Sequence, residues 1–186
     1  VERVVRLYDV LTTGCAVPAS TEGPEEDGVC LAMEYCEGGE LLDYLIYSGR
    51  FDERLARTYF RQLVSALRFL HETCGFAHRD VKPENVLLKR GALKLADYGF
   101  ATKCVYDDES KTVKLLRTTC GTRGYMAPEL LGFQPYEGEP VDVWSAGVLL
   151  FAMLVGAPPM AIAQAKDWWF DQLVSKAYDR FWQAHE

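Results

Sequence analysis

No lysine occurs before Lys82, no two cysteines are spaced C-x-x-C, and only three histidines occur in 186 residues. The six cysteines (Cys15, Cys30, Cys36, Cys74, Cys104 and Cys120) show no metal-ligand spacing with those histidines. A zinc module and a paired redox motif are therefore not expected. Free thiols in a reducing compartment are expected in preference to a disulfide framework. A net charge of −7 provides no surface built for nucleic acid or an anionic membrane. Nothing at Val1 has the charged-then-apolar form of a leader, so no signal peptide is expected. Internal repeats and low-complexity tracts are missing as well. What is left is one soluble domain, or most of a larger one, expected in the cytoplasm with the nucleus as a second compartment.

One stretch argues briefly for a membrane. From Trp144 to Ala163 no residue is charged, and the run has about the length that spans a bilayer. Pro158-Pro159 interrupts it, however, and no Lys/Arg cluster flanks it. A buried core helix from Val141, ending near Gly156, is the better expectation.

The chain begins with two short strand patterns, "VVRLYDVL" and "VCLAMEY", joined by a bridge rich in Gly, Pro and acid from Gly14 to Gly28. That bridge reads as an exposed loop. "EGGELLDYLIYSGRF" holds a short helix closed by Gly49. The clearest helix follows, with Leu55, Tyr59, Phe60, Leu63, Val64, Leu67 and Leu70 forming an apolar stripe. Asp52 is its expected N-cap and Gly75 its stop. "NVLLK" and "ALKLADY" predict a hairpin around Arg90-Gly91. A long polar stretch from Gly99 to Gly124 is expected to be irregular, and loops of that length are functional or disordered. "APELL", the buried helix and an aromatic-rich piece, "DWWFDQLVSKAYDRFW", complete the chain.

The chemistry concentrates in "HRDVKPEN", His78 to Asn85. Asp80 and Asn85 lie in a loop between a helix and a hairpin, and Asp97 stands where the hairpin's second strand ends. A hairpin returns its chain to its starting point, so Asp97 comes back beside Asn85. Two hard oxygen ligands suit Mg²⁺, which takes one or two protein ligands plus phosphate oxygens. Asp80 is then free to orient a hydroxyl, and Lys82 offers charge to a migrating anion. By its parts this is a phosphoryl-transfer constellation. Three residues such as H-R-D recur by chance in surface loops, so the joint pattern carries the reading.

"HRDVKPEN", "DYG" (Asp97-Tyr98-Gly99) and "APE" (Ala127-Pro128-Glu129), in that order and at these separations, resemble the catalytic loop, metal-binding motif and activation-segment end of eukaryotic protein kinases. The resemblance covers essentially the whole chain. It implies an α+β fold that is mostly the helical C-terminal lobe with the last strands of the N-terminal lobe. Residues 1–36 would be the end of the N-lobe and hinge, and 37–186 a C-lobe that stops before its last helices. It implies ATP and Mg²⁺, and protein substrates bearing Ser or Thr. It also implies Asp80 as catalytic base, Lys82 on the transferring phosphate, and Asn85 and Asp97 on the metal.

The same resemblance packs His78 on Tyr98, which replaces the usual phenylalanine. It lets Asp142 accept backbone hydrogen bonds from the H-R-D loop. The D-x-K-P-E-N form and Thr122 in "CGTRGYMAPE" are similar to the serine/threonine class. "VCLAMEYCEGGEL" resembles the adenine hinge, although without the catalytic motifs it reads as a buried strand and turn. It implies Met33 as gatekeeper, the Glu34 carbonyl and Cys36 amide on adenine, Glu40 towards the ribose and Leu87 beneath the base. Arg79 is the kind of residue that pairs with a phosphate placed on the 99–124 segment by an upstream kinase, at Thr118 or next at Thr119. "MEYCEGGELLDYL" and "PVDVWSAGVLLFAMLVGAPP" resemble the calcium/calmodulin-dependent-kinase-like group, nearest its checkpoint and energy-sensing branches. No calmodulin-binding basic helix is visible.

The chain departs from the family pattern before the hinge. There is no G-x-G-x-x-G, no strand lysine and no helix glutamate to pair with one; after "DRFWQAHE" the arginine that usually pairs with Glu129 is missing. Two readings follow: a fragment of a working kinase, weakly active at most by itself, or a non-catalytic interaction module derived from one. The intact set Asp80, Lys82, Asn85 and Asp97 favours the first.

Overall fold

The computed structural model describes residues 3–11, 29–107 and 112–185. The Gly14–Gly28 bridge lies outside them. Strand β1 (Leu7–Leu11) pairs antiparallel with β2 (Cys30–Met33), as the two strand patterns predict. The ribbon joins the rest of the fold through the residues that precede it. Val5 N donates to Leu95 O at 2.9 Å, and Leu95 N donates to Arg3 O at 2.8 Å.

Helix α1 (Leu41–Ser48) buries Leu41 and Leu45 and ends at Gly49, whose φ of 73° suits a residue without Cβ. Helix α2 (Glu53–Arg68) starts where Asp52 predicts, because that carboxylate accepts from Leu55 N at 2.7 Å. It continues as a six-residue π-helical turn, Phe69–Cys74, and stops at Gly75 in the left-handed region. Its buried face differs in part from the expected stripe. Tyr59, Leu63, Leu67 and Leu70 are buried, but Leu55 and Val64 are 38% and 44% exposed, and Ala56 and Ala66 take their places. Small residues let α2 approach its neighbours closely, so the bulkier members of the stripe are left at its margin.

Strands β3 (Phe76–Ala77), β4 (Val86–Lys89) and β5 (Ala92–Leu95) follow, β4 and β5 forming the predicted hairpin. Arg90 and Gly91 have φ of 50° and 73°, the two positive angles that a two-residue hairpin turn with the correct twist requires. The 99–124 stretch is more regular than expected. Strand β6 (Thr102–Lys103) pairs with β3, β7 (Tyr106–Asp107) pairs with β8 (Thr112–Val113), and Leu116 bridges to Tyr136.

Helix α3 (Pro128–Leu131) covers "PELL", and α4 runs Gly138–Val155, starting three residues before the expected Val141. Helix α4 is long and apolar enough to cross a membrane, yet Val141, Ala146, Leu149, Ala152 and Met153 are buried inside the fold. It is the central core helix. One apolar core joins α1, α2, the β4–β5 hairpin and α4. A second joins α3, the foot of α4 and helix α5 (Trp168–Val174). Helix α6 (Tyr178–Gln183) buries Phe181, whose ring meets Phe151 edge-on. The architecture is α+β, a helical body with small antiparallel ribbons. Cys36, Cys74, Cys104 and Cys120 carry free thiols, but Cys30 is disulfide-bonded, which corrects the expectation of free thiols throughout.

Candidate active site

The 78–85 loop is suspended from α4 by one carboxylate. Asp142, fully buried in the first turns of that helix, accepts from His78 N, Arg79 N and the His71 ring, each at 2.7 Å. The left-handed backbone of Arg79, φ 66°, is held in place by these bonds. The His78 ring is equally buried. Its Nε2 faces Ala96 O at 2.9 Å and its Nδ1 faces Asp80 N at 3.3 Å. Those partners assign a neutral ring with its proton on Nε2. His78 meets Tyr98 edge-to-face at 5.2 Å. The hydroxyl that distinguishes Tyr98 from phenylalanine donates to Leu95 O at 2.8 Å, and burial pushes its pKa up.

Around Asp80, which is 5% exposed, three groups converge. Thr122 Oγ1 donates to Asp80 Oδ1 at 2.8 Å, and Asn85 Nδ2 donates to Asp80 Oδ2 at 3.0 Å. Lys82 Nζ lies 3.1 Å from Asp80 Oδ2 and donates to Thr122 Oγ1 at 2.9 Å. One hydroxyl is thus held between a carboxylate and an ammonium. Gly121 permits this approach: its φ is 102°, and a Cβ there would lie 2.6 Å from Arg79 O.

Asn85 and Asp97 come together as the hairpin argument requires. Ala96 N donates to Asn85 O at 2.9 Å, which sets Asp97, the next residue, beside the buried Asn85. Asp97 has φ 58°, is exposed, and accepts from Gly99 N at 3.1 Å. Asn85 uses its Nδ2 on Asp80, both on the backbone oxygen at 2.8 Å and on the carboxylate at 3.0 Å, so its side-chain oxygen is the atom that a cation would take. Among the described residues no group of three or more His, Cys, Asp or Glu could hold a metal. An amide oxygen and a carboxylate fit a hard cation that draws most of its ligands from phosphate and water.

At the end of β2, Met33 is 55% exposed and Glu34 is buried. The sequence reading gave Glu34 only a backbone role. Its carboxylate also accepts from Lys89 at 3.0 Å, from Lys94 at 3.1 Å and from Arg6 N at 3.2 Å. Burial acts to raise the carboxyl's pKa, but the hydrogen bonds from Lys89, Lys94 and Arg6 outweigh it and bring it down to about 2. Burial and the Glu34 charge push the Cys36 thiol up. Glu40 bridges to Leu87, and Gly38 N donates to Leu88 O at 2.9 Å, so the hinge stretch lies along β4. A Cβ at Gly38 would sit 2.7 Å from that same oxygen.

Arg79 turns away from Asp80 towards the 99–124 segment. Its Nε donates to Phe100 O at 2.8 Å and its Nη1 to the Tyr136 hydroxyl at 2.9 Å. Thr118 exposes its side chain, and Glu129 is half-buried in the first turn of α3. His71, Tyr136 and the carboxylate of Glu34 escaped the sequence reading. Each acts through a partner at least 55 positions away, at a spacing no local pattern encodes.

A carboxylate and an ammonium on one loop, the Thr122 hydroxyl brought to both from a distant segment, and an amide–carboxylate oxygen pair at the foot of a hairpin are the parts of a phosphoryl-transfer constellation on an α+β frame. The family model described as "Protein kinase domain" matches residues 1–180, and the chain belongs to that family. It is similar to CBL-interacting serine/threonine-protein kinase 24 of Arabidopsis thaliana, 42% identical over 160 residues. That alignment covers 85% of this chain and 32% of the relative. CBL-interacting serine/threonine-protein kinase 7 of the same plant is 47% identical over 157 residues, covering 84% of this chain and 33% of the relative. CBL-interacting protein kinase 9 of Oryza sativa subsp. japonica is 44% identical over 157 residues, 84% and 31%. The chain spans about a third of the length of these curated relatives.

Proposed function

We propose that this chain carries the catalytic part of a serine/threonine protein kinase, transferring the γ-phosphoryl group of ATP to a protein hydroxyl. The observation that carries the reading is the Thr122 hydroxyl, held as donor to Asp80 and acceptor from Lys82. A substrate serine or threonine needs the same two partners. Asp80 takes the hydroxyl proton as the oxygen bonds to phosphorus, the bond from phosphorus to the β–γ bridging oxygen breaks, and ADP leaves with that electron pair. Lys82 balances the charge moving between the two oxygens, and Asn85 fixes the Asp80 carboxylate through Nδ2. Asn85 and Asp97 are the residues that would hold Mg²⁺, which supplies neutralisation of the phosphate charge when bound. The hinge stretch, with the Glu34 carbonyl, the Cys36 amide, Glu40 and Leu87, is the proposed adenine and ribose site. The named relatives support Ser/Thr over Tyr as acceptor.

The test is transfer of labelled phosphate from ATP to Ser-, Thr- and Tyr-containing peptides by this chain and by Asp80→Asn. Slow, Mg²⁺-dependent transfer to Ser and Thr is expected, since no lysine precedes Lys82 to position the α- and β-phosphates. Asp80→Asn should lower it by roughly 10²- to 10⁴-fold. Equal transfer by the two proteins would overturn the assignment of Asp80. Absence of both transfer and nucleotide binding would leave an interaction module.

A further inference from the structure

Tyr136 ties together segments that the proposed reaction uses. Its hydroxyl accepts from Arg79 Nη1 at 2.9 Å and donates to the Thr118 carbonyl oxygen at 2.7 Å. Its backbone exchanges two hydrogen bonds with Leu116, at 2.7 and 3.0 Å. The residue is 3% exposed, and burial raises its pKa, so the hydroxyl keeps its proton through the ordinary pH range. Arg79 continues the chain of contacts to Phe100 O, just beyond Asp97-Tyr98-Gly99. Four residues after Thr118 comes Thr122, whose hydroxyl rests on Asp80.

We propose that Tyr136 is a positioning residue: a latch that fastens the 116–122 segment to Arg79 and so keeps Thr122 in register with Asp80. Its importance rests on the phosphoryl-transfer reading, but the latch itself is a property of the folded chain and is measured without any transfer. A phenylalanine at 136 keeps the ring and its packing and removes only the hydroxyl, leaving Arg79 Nη1 and Thr118 O without their shared partner. Thr118 presents its side chain to solvent while its carbonyl is fastened. An acidic group at 118 therefore has Arg79 within the same cluster to pair with, and should restore what the lost hydroxyl released.

Amide hydrogen exchange, followed by peptide over residues 112–124, α2 and α4, tests this on the unmodified chain and on Tyr136→Phe. Loss of one buried hydrogen bond should speed exchange in 112–124 by about fivefold while α2 and α4 keep their rates. Arg79→Gln removes the same bond from its other end and should release the same peptides, which keeps the test alive if Tyr136→Phe folds poorly. Thr118→Glu in the Tyr136→Phe background should recover most of the protection. Unchanged rates in 112–124 in both single variants would overturn the latch. So would an increase shared equally by α2 and α4, which would make Tyr136 a core residue only. Neither result bears on the Asp80→Asn transfer assay, so the two readings fail separately.

Discussion

Thr122 and Asp80, 42 positions apart, share a 2.8 Å hydrogen bond in which the threonine hydroxyl is the donor. The bond sets the mouth of the site, because Lys82 approaches the same hydroxyl from the other side. Thr122→Val keeps shape but removes donor and acceptor together, so Asp80 loses the partner of one oxygen and Lys82 one of its acceptors. Peptide phosphorylation should fall by at least about tenfold, while Thr122→Ser, which retains the hydroxyl, should stay within about threefold of the parent. A valine variant with unchanged turnover would show that the bond is incidental.

Glu34 makes the chain acid-sensitive in a defined window. Its carboxyl titrates near 2 in the folded protein, against an ordinary value of 4.5. A depressed folded pKa contributes stability that is fully present above 4.5 and is lost as pH falls through the folded value. Urea midpoints should therefore decline between about pH 4.5 and pH 2, and Glu34→Gln should flatten that part of the profile. The glutamine variant should also be weaker near neutrality by about 3 kcal/mol, because Lys94, 8% exposed, would lose the anion it is buried against.

Gly156 and Gly49 offer a matched pair of glycine tests. Both have positive φ, 95° and 73°, so alanine at either carries backbone strain of about 1 kcal/mol. At Gly49 a Cβ meets nothing within 4 Å, and the cost should stop there. At Gly156 a Cβ would collide with the Gly49 carbonyl oxygen, where the ends of α1 and α4 touch. Gly156→Ala should be the more destabilising by about 2 kcal/mol in chemical denaturation, since backbone yields less easily than a side chain. Equal losses would mean that the two helix ends can separate freely.

Asp167 satisfies four backbone N–H groups with one side chain. Oδ1 accepts from Trp169 and Phe170 at the start of α5, and Oδ2 accepts from Ala161 and Ile162 in the approach to it. Asp167→Ala should lower stability by about 2 kcal/mol and loosen α5 first, seen as a lower thermal midpoint. Asp167→Asn keeps one acceptor oxygen and should lose about half as much. An alanine variant as stable as the parent would show that water replaces the carboxylate.

The elements legible in the sequence are those whose signals are local. Asp52 and Gly75 bound α2, Gly49 ends α1, and Arg90-Gly91 turns the hairpin, each within a few residues of what it controls. The Asn85–Asp97 meeting was also readable, because a hairpin fixes where its far end returns. The α2 stripe was misread at Leu55 and Val64, since a ranking by side-chain apolarity overlooks that the closest packing falls on Ala56 and Ala66. Nothing in the sequence signals that Lys94, 60 positions on, would lie under Glu34, or that His71 would share Asp142 with the loop. Such pairings depend on how whole elements stack. The disulfide at Cys30 was hidden for a related reason, because bridging follows spatial approach and not spacing.

The three bonds that Asp142 accepts have a mechanical meaning. Asp80 takes its bearings from α4, the most deeply seated helix, and not from the strand ribbon at the opposite margin. The ribbon is tethered through Glu34 and a few backbone bonds near Leu95. A rocking of β1 and β2, such as the proposed nucleotide site would demand, can therefore be absorbed at that tether while the Asp80 carboxylate stays at its post.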